Sequence, residues 1–179
     1  MKIAVLGAGA WGTALAISLA TRHEVRLWTR NPVQCAEMAE ERVNRRYLPG
    51  FSFSDTLQIE LKLEQALDQA DLALVVVPTA GFRQVLRQIA ELGAKMPLVW
   101  ACKGFEAGTA KLPHQVVAEE LGGKAQCGAL SGPSFAQEVA KGLPTALTLA
   151  SRDEPFAHAM ALELHSPRLR VYSSPDVIG

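Results

Sequence analysis

The sequence has no segment suited to a membrane and no recognisable export signal. Its longest apolar run, residues 72–78, is far shorter than the roughly 20 residues that a helix needs to cross a bilayer. The chain opens with Met1-Lys2-Ile3 and enters a strand-like segment directly, without the apolar stretch and cleavage site of a signal peptide. These absences predict a soluble, cytoplasmic protein without membrane insertion.

Cysteine is also scarce. The three cysteines, Cys35, Cys102 and Cys127, are odd in number and widely spaced, which indicates reduced, buried structural thiols rather than a disulfide framework. The histidines show no metal-ligand spacing with one another or with the cysteines; they are His23, His114, His158 and His165. The sequence therefore predicts no metal site.

An excess of charge of either sign is missing as well. Lysine and arginine number 18, and aspartate and glutamate also number 18, so the chain lacks the positive field that binding to a nucleic-acid backbone requires. Nucleic acid is therefore not an expected partner. Apolar residues make up 49% of the chain, which is typical of a globular protein with a packed core. The length suits one domain, with room for little more than a small appendage.

What the sequence does have is an alternation of short apolar runs with longer amphipathic stretches, which is typical of βαβ units. It predicts an α/β fold with a doubly wound, mainly parallel sheet. Strands are predicted near Ile59 and, more strongly, at 2–6, 24–29, 72–77, 98–102, 126–130, 146–150 and 168–172. Helices are predicted at 10–22, 32–41, 62–69, 79–92, 112–121, 134–141 and 154–164.

One stretch, residues 43–55, interrupts this regular pattern. It combines a basic pair, Arg45 and Arg46, with Tyr47 and a Pro49-Gly50 break. Proline and glycine in sequence favour turns over regular elements. We therefore predict an ordered loop at this position.

The first strand runs directly into a glycine motif, Gly7-Ala8-Gly9-Ala10-Trp11-Gly12, which opens a helix. In such a motif Gly7 permits the tight turn, Gly9 lets the backbone approach a diphosphate, and Gly12 allows the helix to pack closely on the strand. The free amides at the helix start then face the phosphates. The motif predicts dinucleotide binding, whereas the alternative is a plain turn between strand and helix.

The end of the second strand bears on the choice between the two nicotinamide dinucleotides. Sites that prefer NAD usually place an acid there to bind the ribose hydroxyls, but this strand ends in Thr29-Arg30-Asn31. The planar guanidinium of Arg30 can pair with a ribose 2′-phosphate. We therefore expect NADP(H) to be accepted and preferred, with NAD(H) as the other cofactor. The alternative is that Arg30 is an ordinary solvated arginine.

Further motifs follow the glycine turn along the chain. They are Tyr47-Leu48-Pro49, Val76-Val77-Pro78-Thr79, Lys103-Gly104-Phe105-Glu106, Ser131-Gly132-Pro133-Ser134-Phe135-Ala136, Pro144-Thr145-Ala146 and Asp176-Val177-Ile178-Gly179. In this order, and over the whole chain, they resemble the bacterial NAD(P)-dependent glycerol-3-phosphate dehydrogenases. The lysine and serine segments are much more specific than the glycine motif. The resemblance implies a Rossmann-type fold and an oxidoreductase that interconverts dihydroxyacetone phosphate and sn-glycerol 3-phosphate, for glycerophospholipid synthesis.

The lysine segment fits the chemistry that the resemblance implies. Hydride reaches a carbonyl carbon only if the developing alkoxide is stabilised and protonated nearby. Lys103 follows a buried strand at the carboxyl edge of the sheet, where doubly wound folds collect their ligands. By resemblance, Lys103 contacts substrate and cofactor and supports catalysis. The alternative is a solvated lysine at a strand end.

The serine segment is the second part of the implied substrate site. By resemblance, Gly132 and Ser134 line the glycerol-phosphate pocket and Ala136 lies against the cofactor. Ser134 could instead only cap a helix, and Trp11, which the resemblance makes a cofactor contact, could instead be a core aromatic. The predicted cofactor-binding set is Gly7, Gly9, Ala10, Trp11, Gly12, Arg30, Lys103 and Ala136.

The resemblance also implies what lies outside this chain. In the family, an all-helical second domain follows and carries the principal catalytic lysine and the groups that hold the substrate phosphate. We therefore expect residues 1–179 to form an NAD(P)-binding Rossmann domain without that second domain, which binds nucleotide and turns over little or nothing. The expected partner is a small-molecule substrate, and a homodimer is left open.

Two other interpretations of the sequence remain. Rossmann dehydrogenases of the 3-hydroxyacyl-CoA or 6-phosphogluconate type share the glycine turn but lack the lysine and serine segments. A non-catalytic module that binds nucleotide or senses redox state would need neither a substrate site nor a second domain. A gene that continues past residue 179 into a helical region would favour the enzyme, whereas a natural stop there would favour the sensor.

Overall fold

The computed structural model describes residues 1–122 and 125–178, and within them it contains ten strands and seven helices. The strands are β1 Lys2–Leu6, β2 Glu24–Trp28, β3 Val43–Asn44, β4 Leu48–Ser52, β5 Leu57–Glu60, β6 Leu72–Val75, β7 Leu98–Trp100, β8 Cys127–Ser131, β9 Thr145–Ala150 and β10 Leu169–Ser174. The helices are α1 Ala10–Leu19, α2 Pro32–Glu41, α3 Leu63–Leu67, α4 Thr79–Glu91, α5 Pro113–Leu121, α6 Ala136–Ala140 and α7 Glu154–Leu164. Gly179, which ends the last motif of the resemblance, lies outside the described residues.

Eight of these strands form one sheet in the order β10-β9-β8-β7-β6-β1-β2-β5. The six strands from β8 to β5 are parallel, β9 is antiparallel to β8, and β10 is parallel to β9. The predicted doubly wound, mainly parallel sheet is therefore confirmed. From β1 the chain builds outward through β2 to β5 and then returns to β6 on the other side of β1. This reversal opens a crevice beyond the carboxyl ends of β1 and β6, where such folds bind ligands.

Both faces of the central strands are buried, which explains why they appear as continuous apolar runs in the sequence. In β1, Ile3 and Val5 pack into one core cluster together with Leu15 of α1, while Ala4 and Leu6 pack into another on the opposite face. The second cluster also contains the apolar side of α4 and part of α5. Helices therefore cover the sheet on both sides.

Several helix boundaries follow local sequence signals. Asn31 caps α2, because its side chain accepts hydrogen bonds from the amides of Val33 and Gln34, and Pro32 occupies the first helical position. Asp153 caps α7 in the same way by accepting from the amide of Phe156. Such caps satisfy amides that have no partner within the helix. Helices α2 and α7 have the predicted bounds, whereas the other five are shorter than predicted by one to three residues; α1, for example, stops at Leu19.

The prediction of a loop at residues 43–55 was wrong in part. β3 and β4 pair there as a small antiparallel sheet with an irregular register between Val43 and Asn44. Proline and glycine inside β4 misled the prediction, because they normally exclude a strand. Pro49 is tolerated at this position since β4 pairs on one side only, and an edge strand does not need every amide. The weak strand near Ile59 is present as β5.

The three cysteines are free, as predicted, but they are half-buried rather than buried. Cys127 begins β8 and Cys102 follows the end of β7, whereas Cys35 lies within α2. No helix in the described part of the chain is long and apolar enough to cross a membrane.

Candidate functional site

A cleft of about 1020 Å³ lies at the carboxyl edge of the sheet. Its walls come from the segments that follow β1, β2, β6, β7 and β8, together with one side of α4 and the turn between β3 and β4. The cleft, called the edge cleft from this point, thus occupies the crevice that the strand order creates.

The glycine motif forms the floor of the edge cleft between β1 and α1. Gly7 has φ +126°, and a Cβ there would lie 2.7 Å from the carbonyl oxygen of Val76. At Gly12 a Cβ would lie 1.9 Å from the carbonyl oxygen of Gly7, so no side chain fits. A Cβ at Gly9 would meet nothing within 4 Å. Gly7 and Gly12 are therefore required by the turn, whereas Gly9 leaves open space on the cleft side.

This turn suits a diphosphate group. α1 starts at Ala10 after Gly9, it has no side-chain cap, and its first turn carries no acidic residue. Its first amides therefore lack a capping oxygen, and the positive end of the helix dipole faces no carboxylate of that turn. A bound anion can accept hydrogen bonds from those amides. The geometry fits the predicted nucleotide.

Two buried amide side chains hold the glycine turn from outside. Asn44 Nδ2 donates to the carbonyl oxygen of Ala8 at 3.0 Å and to Thr13 Oγ1 at 2.7 Å. Gln34 Nε2 donates to the same Ala8 oxygen at 2.8 Å, and Gln34 Oε1 accepts from Thr29 Oγ1. The turn is thus fixed to α2 and to the β3–β4 unit. Neither residue was predicted from the sequence, since neither carries a local signal.

Lys103 lies at the same edge as the glycine turn. It follows β7, lines the edge cleft and is exposed. Its carbonyl oxygen accepts a hydrogen bond from Thr79 Oγ1 at 2.7 Å, while its ammonium makes no hydrogen bond or ion pair within residues 1–122 and 125–178. The ammonium is therefore free to bind an anionic or polar group in the cleft.

The serine segment meets the glycine turn directly. Trp11 Nε1 donates to Ser134 Oγ at 3.0 Å across 123 positions of the chain. Ser134 is not the cap of α6, because that helix starts at Ala136 and Phe135 occupies the capping position. Gly132 has φ +156°, and a Cβ there would lie 2.6 Å from the carbonyl oxygen of Ala146. Ser134, Gly132 and Trp11 all line the edge cleft.

Two predicted cofactor contacts are not in the cleft wall. Ala10 and Ala136 are half-buried, and neither lines the edge cleft. Ala136 packs instead against a small apolar cluster that contains Ala14, Leu48 and Val139. Their contacts with the cofactor stay predictions.

Arg30 lines the edge cleft just beyond the end of β2. It is exposed, and its guanidinium makes no hydrogen bond or ion pair with any residue that the structure describes. A second arginine, Arg46, lines the cleft from the turn between β3 and β4, with its guanidinium carbon 5.3 Å from the ring centre of Tyr47. The sequence pattern had marked this basic and aromatic segment but had given it no role. Both arginines line the edge cleft and give it positive charge that suits an anion.

The thiol next to Lys103 is poorly suited to redox sensing. Burial raises the pKa of Cys102 to about 12, and burial likewise raises the pKa of Cys35 and Cys127. Sensor thiols have low pKa values and are exposed, because the thiolate is the reactive form. Among the described residues, no group of histidine, cysteine or acidic side chains could hold a metal ion.

We therefore predict that Cys102 in the folded chain reacts with a disulfide reagent at pH 8 on the order of a thousandfold more slowly than an unperturbed thiol. A spectrophotometric thiol assay with mass-spectrometric site identification measures this rate. The same chain unfolded in guanidinium chloride is the control, and there all three thiols should react rapidly. Rapid labelling of Cys102 in the folded chain would support the redox-sensing alternative instead.

Comparisons with known proteins agree with this geometry. The family described as NAD-dependent glycerol-3-phosphate dehydrogenase N-terminus matches residues 2–157. A glycerol-3-phosphate dehydrogenase [NAD(P)+] of Nitrosomonas eutropha is 61% identical over 179 residues, which are 100% of this chain and 54% of that protein. The corresponding enzyme of Nitrosospira multiformis is 56% identical over 183 residues, covering 100% of this chain and 55% of that protein.

A solved structure gives the same result. The crystal structure of glycerol-3-phosphate dehydrogenase from Coxiella burnetii superposes with a TM-score of 0.93 at 43% identity, over 99% of this chain and 55% of that one. The chain thus spans about half the length of the curated relatives it matches. Since the family match takes in most of the residues, the chain belongs to the family of NAD-dependent glycerol-3-phosphate dehydrogenase N-terminal domains.

Proposed function

We propose that this chain is the cofactor-binding part of an enzyme that interconverts dihydroxyacetone phosphate and sn-glycerol 3-phosphate with NADPH or NADH. The observation that carries the proposal is the shared cleft: the glycine turn, Lys103 and the serine segment line one space at the carboxyl edge of the sheet. The relatives are named for this activity. In a cell the product would supply the backbone of glycerophospholipids.

Different parts of the edge cleft would contact different parts of the cofactor and the substrate. The amides at the start of α1 bind the diphosphate of the dinucleotide, and Arg30 pairs with a 2′-phosphate where one is present. A nicotinamide bound in the cleft would supply or accept the hydride. Lys103 places a positive charge beside the substrate oxygen, which stabilises the negative charge that develops there. Ser134 and Gly132 line the adjoining space for the glycerol phosphate.

We further propose that residues 1–179 bind nucleotide as one Rossmann domain, and that turnover needs the principal catalytic lysine of the family outside this chain. The edge cleft is open to solvent at Lys103, which is exposed, whereas a closed active site excludes water and so strengthens the electrostatic contacts inside it. We therefore expect no oxidation of NADPH by dihydroxyacetone phosphate above the uncatalysed rate. Clear turnover by this chain alone would contradict it.

A fluorescence titration tests nucleotide binding. Trp11 and Trp28 line the edge cleft, so NADPH should quench tryptophan emission in a saturable way, with an affinity that calorimetry can confirm. Trp11→Phe should reduce the signal. Trp100 is 4% exposed and packs in the core, so Trp100→Phe should leave the signal change intact. Absence of a saturable signal and of calorimetric heat with both NADPH and NADH would overturn the proposal.

A further inference from the structure

Lys103 sits in a long segment that has little regular structure of its own. Residues 101–112, called the Lys103 loop, connect β7 to α5. Gly104 and Gly108 have φ +91° and +83°, and Ala110 has φ +53°. An exposed lysine in such a loop can aim its ammonium at a cleft only if the backbone around it is held in place. Contacts outside the loop must supply that hold.

Helix α4 provides two points of attachment on one face. Thr79 holds the carbonyl oxygen of Lys103, and Arg83, one turn further along α4, holds the carboxylate of Glu106. The Arg83–Glu106 contact is bidentate: Nε donates to Oε1 and Nη2 donates to Oε2, each at 2.7 Å. Both side chains are largely buried, with exposed fractions of 18% and 13%. A paired, planar contact of this kind fixes orientation as well as distance.

Glu106 is also the organising residue within the Lys103 loop. Its carboxylate accepts from Thr109 Oγ1 at 2.5 Å, its amide donates to the carbonyl oxygen of Lys111 at 2.8 Å, and its carbonyl oxygen accepts from the amide of Ala110 at 3.0 Å. The hydrogen bonds from Arg83 and Thr109 lower the pKa of Glu106 to about 2. The carboxylate is therefore charged throughout the neutral range, and the attachment to α4 persists there.

Because of the surrounding charges, the position of the Lys103 loop against α4 depends on Arg83. Glu119 and Glu120 of α5 also pair with its guanidinium, and Arg87 and Lys111 complete the group. Three carboxylates therefore face one central cation. Without Arg83, Glu106 would lose its ion-pair partner, and Arg87 and Lys111 would remain as two cations against three carboxylates. The like charges of Glu106 and the α5 carboxylates would then repel. The loop would then move away from α4.

We infer that Arg83 and Glu106 are positioning residues that hold the Lys103 loop against α4, so that the Lys103 ammonium stays over the edge cleft. The other side of α4 lines that cleft through Gly81, Gln84 and Gln88. One helix therefore forms part of the cleft wall and also holds the loop that carries Lys103. This inference rests on the proposed function, because it assigns Arg83 an effect only through the contact of Lys103 with the cofactor.

A double-mutant cycle separates positioning from general structural support. The NADPH dissociation constant is measured by calorimetry for the unsubstituted chain, Arg83→Met, Lys103→Met and the double variant. We expect Arg83→Met to raise the dissociation constant about fivefold when Lys103 is present, as for residues coupled through one contact network. In the Lys103→Met background the same substitution should leave it unchanged. A purely structural role would give the same factor in both backgrounds.

Two further variants sharpen the test. Arg87→Met is the matched control, since Arg87 is 60% exposed, lies one turn beyond Arg83 on α4 and pairs with Glu120 but not with Glu106; it should leave the dissociation constant unchanged. Glu106→Gln is nearly isosteric, and it replaces Arg83→Met as the test of this contact if circular dichroism shows that Arg83→Met does not fold. It should weaken NADPH binding in the same direction, again only when Lys103 is present.

The outcomes are distinguishable. Equal factors in the two backgrounds, or no effect of Lys103→Met itself, would overturn the inference while leaving the proposed function in place. Failure of the unsubstituted chain to bind NADPH or NADH would overturn the proposed function and the inference together. The inference would be established if Arg83→Met and Glu106→Gln each weaken NADPH binding only when Lys103 is present, and if Arg87→Met leaves NADPH binding unchanged.

Discussion

Gly12→Ala should cause a large loss of both stability and nucleotide binding. The new Cβ would lie 1.9 Å from the carbonyl oxygen of Gly7, and this neighbour is backbone that cannot rotate away. The turn between β1 and α1 would have to open, at a cost of about 3 kcal/mol or more, as for overpacked sites. For a domain of this size the melting temperature should then fall by about 10 °C. Calorimetric melting and an NADPH titration measure the two effects.

Gly9→Ala is the matched control for that substitution. A Cβ at Gly9 meets nothing within 4 Å, and the residue already has φ −76°, which alanine adopts without strain. The melting temperature should therefore change little. The added methyl group would nevertheless stand where a diphosphate approaches the backbone, so the NADPH dissociation constant should rise by about tenfold or more. A variant that binds NADPH normally would show that the diphosphate does not lie against Gly9.

Arg30→Ala should change the preference between the two cofactors rather than the fold. Arg30 has no partner in the described chain and lines the edge cleft, so its removal breaks no internal contact. A charge-assisted contact with a phosphate contributes about 1.5–3 kcal/mol, and less at an exposed position. We expect NADPH affinity to fall about tenfold, which corresponds to about 1.4 kcal/mol, while NADH affinity stays nearly the same.

The matched control for Arg30→Ala is Arg45→Ala. Arg45 is another exposed arginine, next in sequence to the cleft residue Arg46, but it pairs with Glu41 and does not line the edge cleft. Its removal should affect the binding of neither cofactor. Calorimetric titrations of both variants with NADPH and NADH give the affinities needed. An unchanged ratio of the two affinities in Arg30→Ala would show that the guanidinium does not contact the 2′-phosphate.

The sheet and the glycine turn could be predicted because their signals are local. A strand buried on both faces is a run of apolar residues, as in β1 and β6. The motif that contains Gly7 and Gly12 takes up only six consecutive positions of the chain. The edge that Lys103 shares with the glycine turn also follows, because parallel strands end on the same side. The sequence was sufficient wherever a short segment determines its own conformation.

The support around the cleft could not be predicted in the same way. Asn44 reaches Ala8 across 36 positions, and Arg83 reaches Glu106 across 23. Such contacts depend on how helices pack on the sheet, and a lone polar residue gives no sign of its distant partner. The antiparallel direction of β9 was not predicted, for a related reason. The direction of a strand depends on the segments that connect it to its neighbours, whereas the sequence of β9 itself is an ordinary apolar run.

The hairpin of β3 and β4 shows how turn-forming residues can conceal a functional element. Pro49 and Gly50 indicated a loop, yet this unit carries Asn44, which holds the glycine turn, and Arg46, which lines the edge cleft. The basic and aromatic pair of Arg46 and Tyr47 was the available signal. In this segment, charge and aromaticity were better indicators of a cleft residue than the turn-forming residues were.

A crystal structure of the chain with NADPH would test the central claim most directly. We expect the diphosphate to accept hydrogen bonds from the amides at the start of α1, between Gly9 and Gly12, and the nicotinamide end to point toward Lys103 and Ser134. We also expect the 2′-phosphate to lie beside Arg30. A nucleotide bound away from the glycine turn, or with its nicotinamide on the opposite side from Lys103, would contradict it.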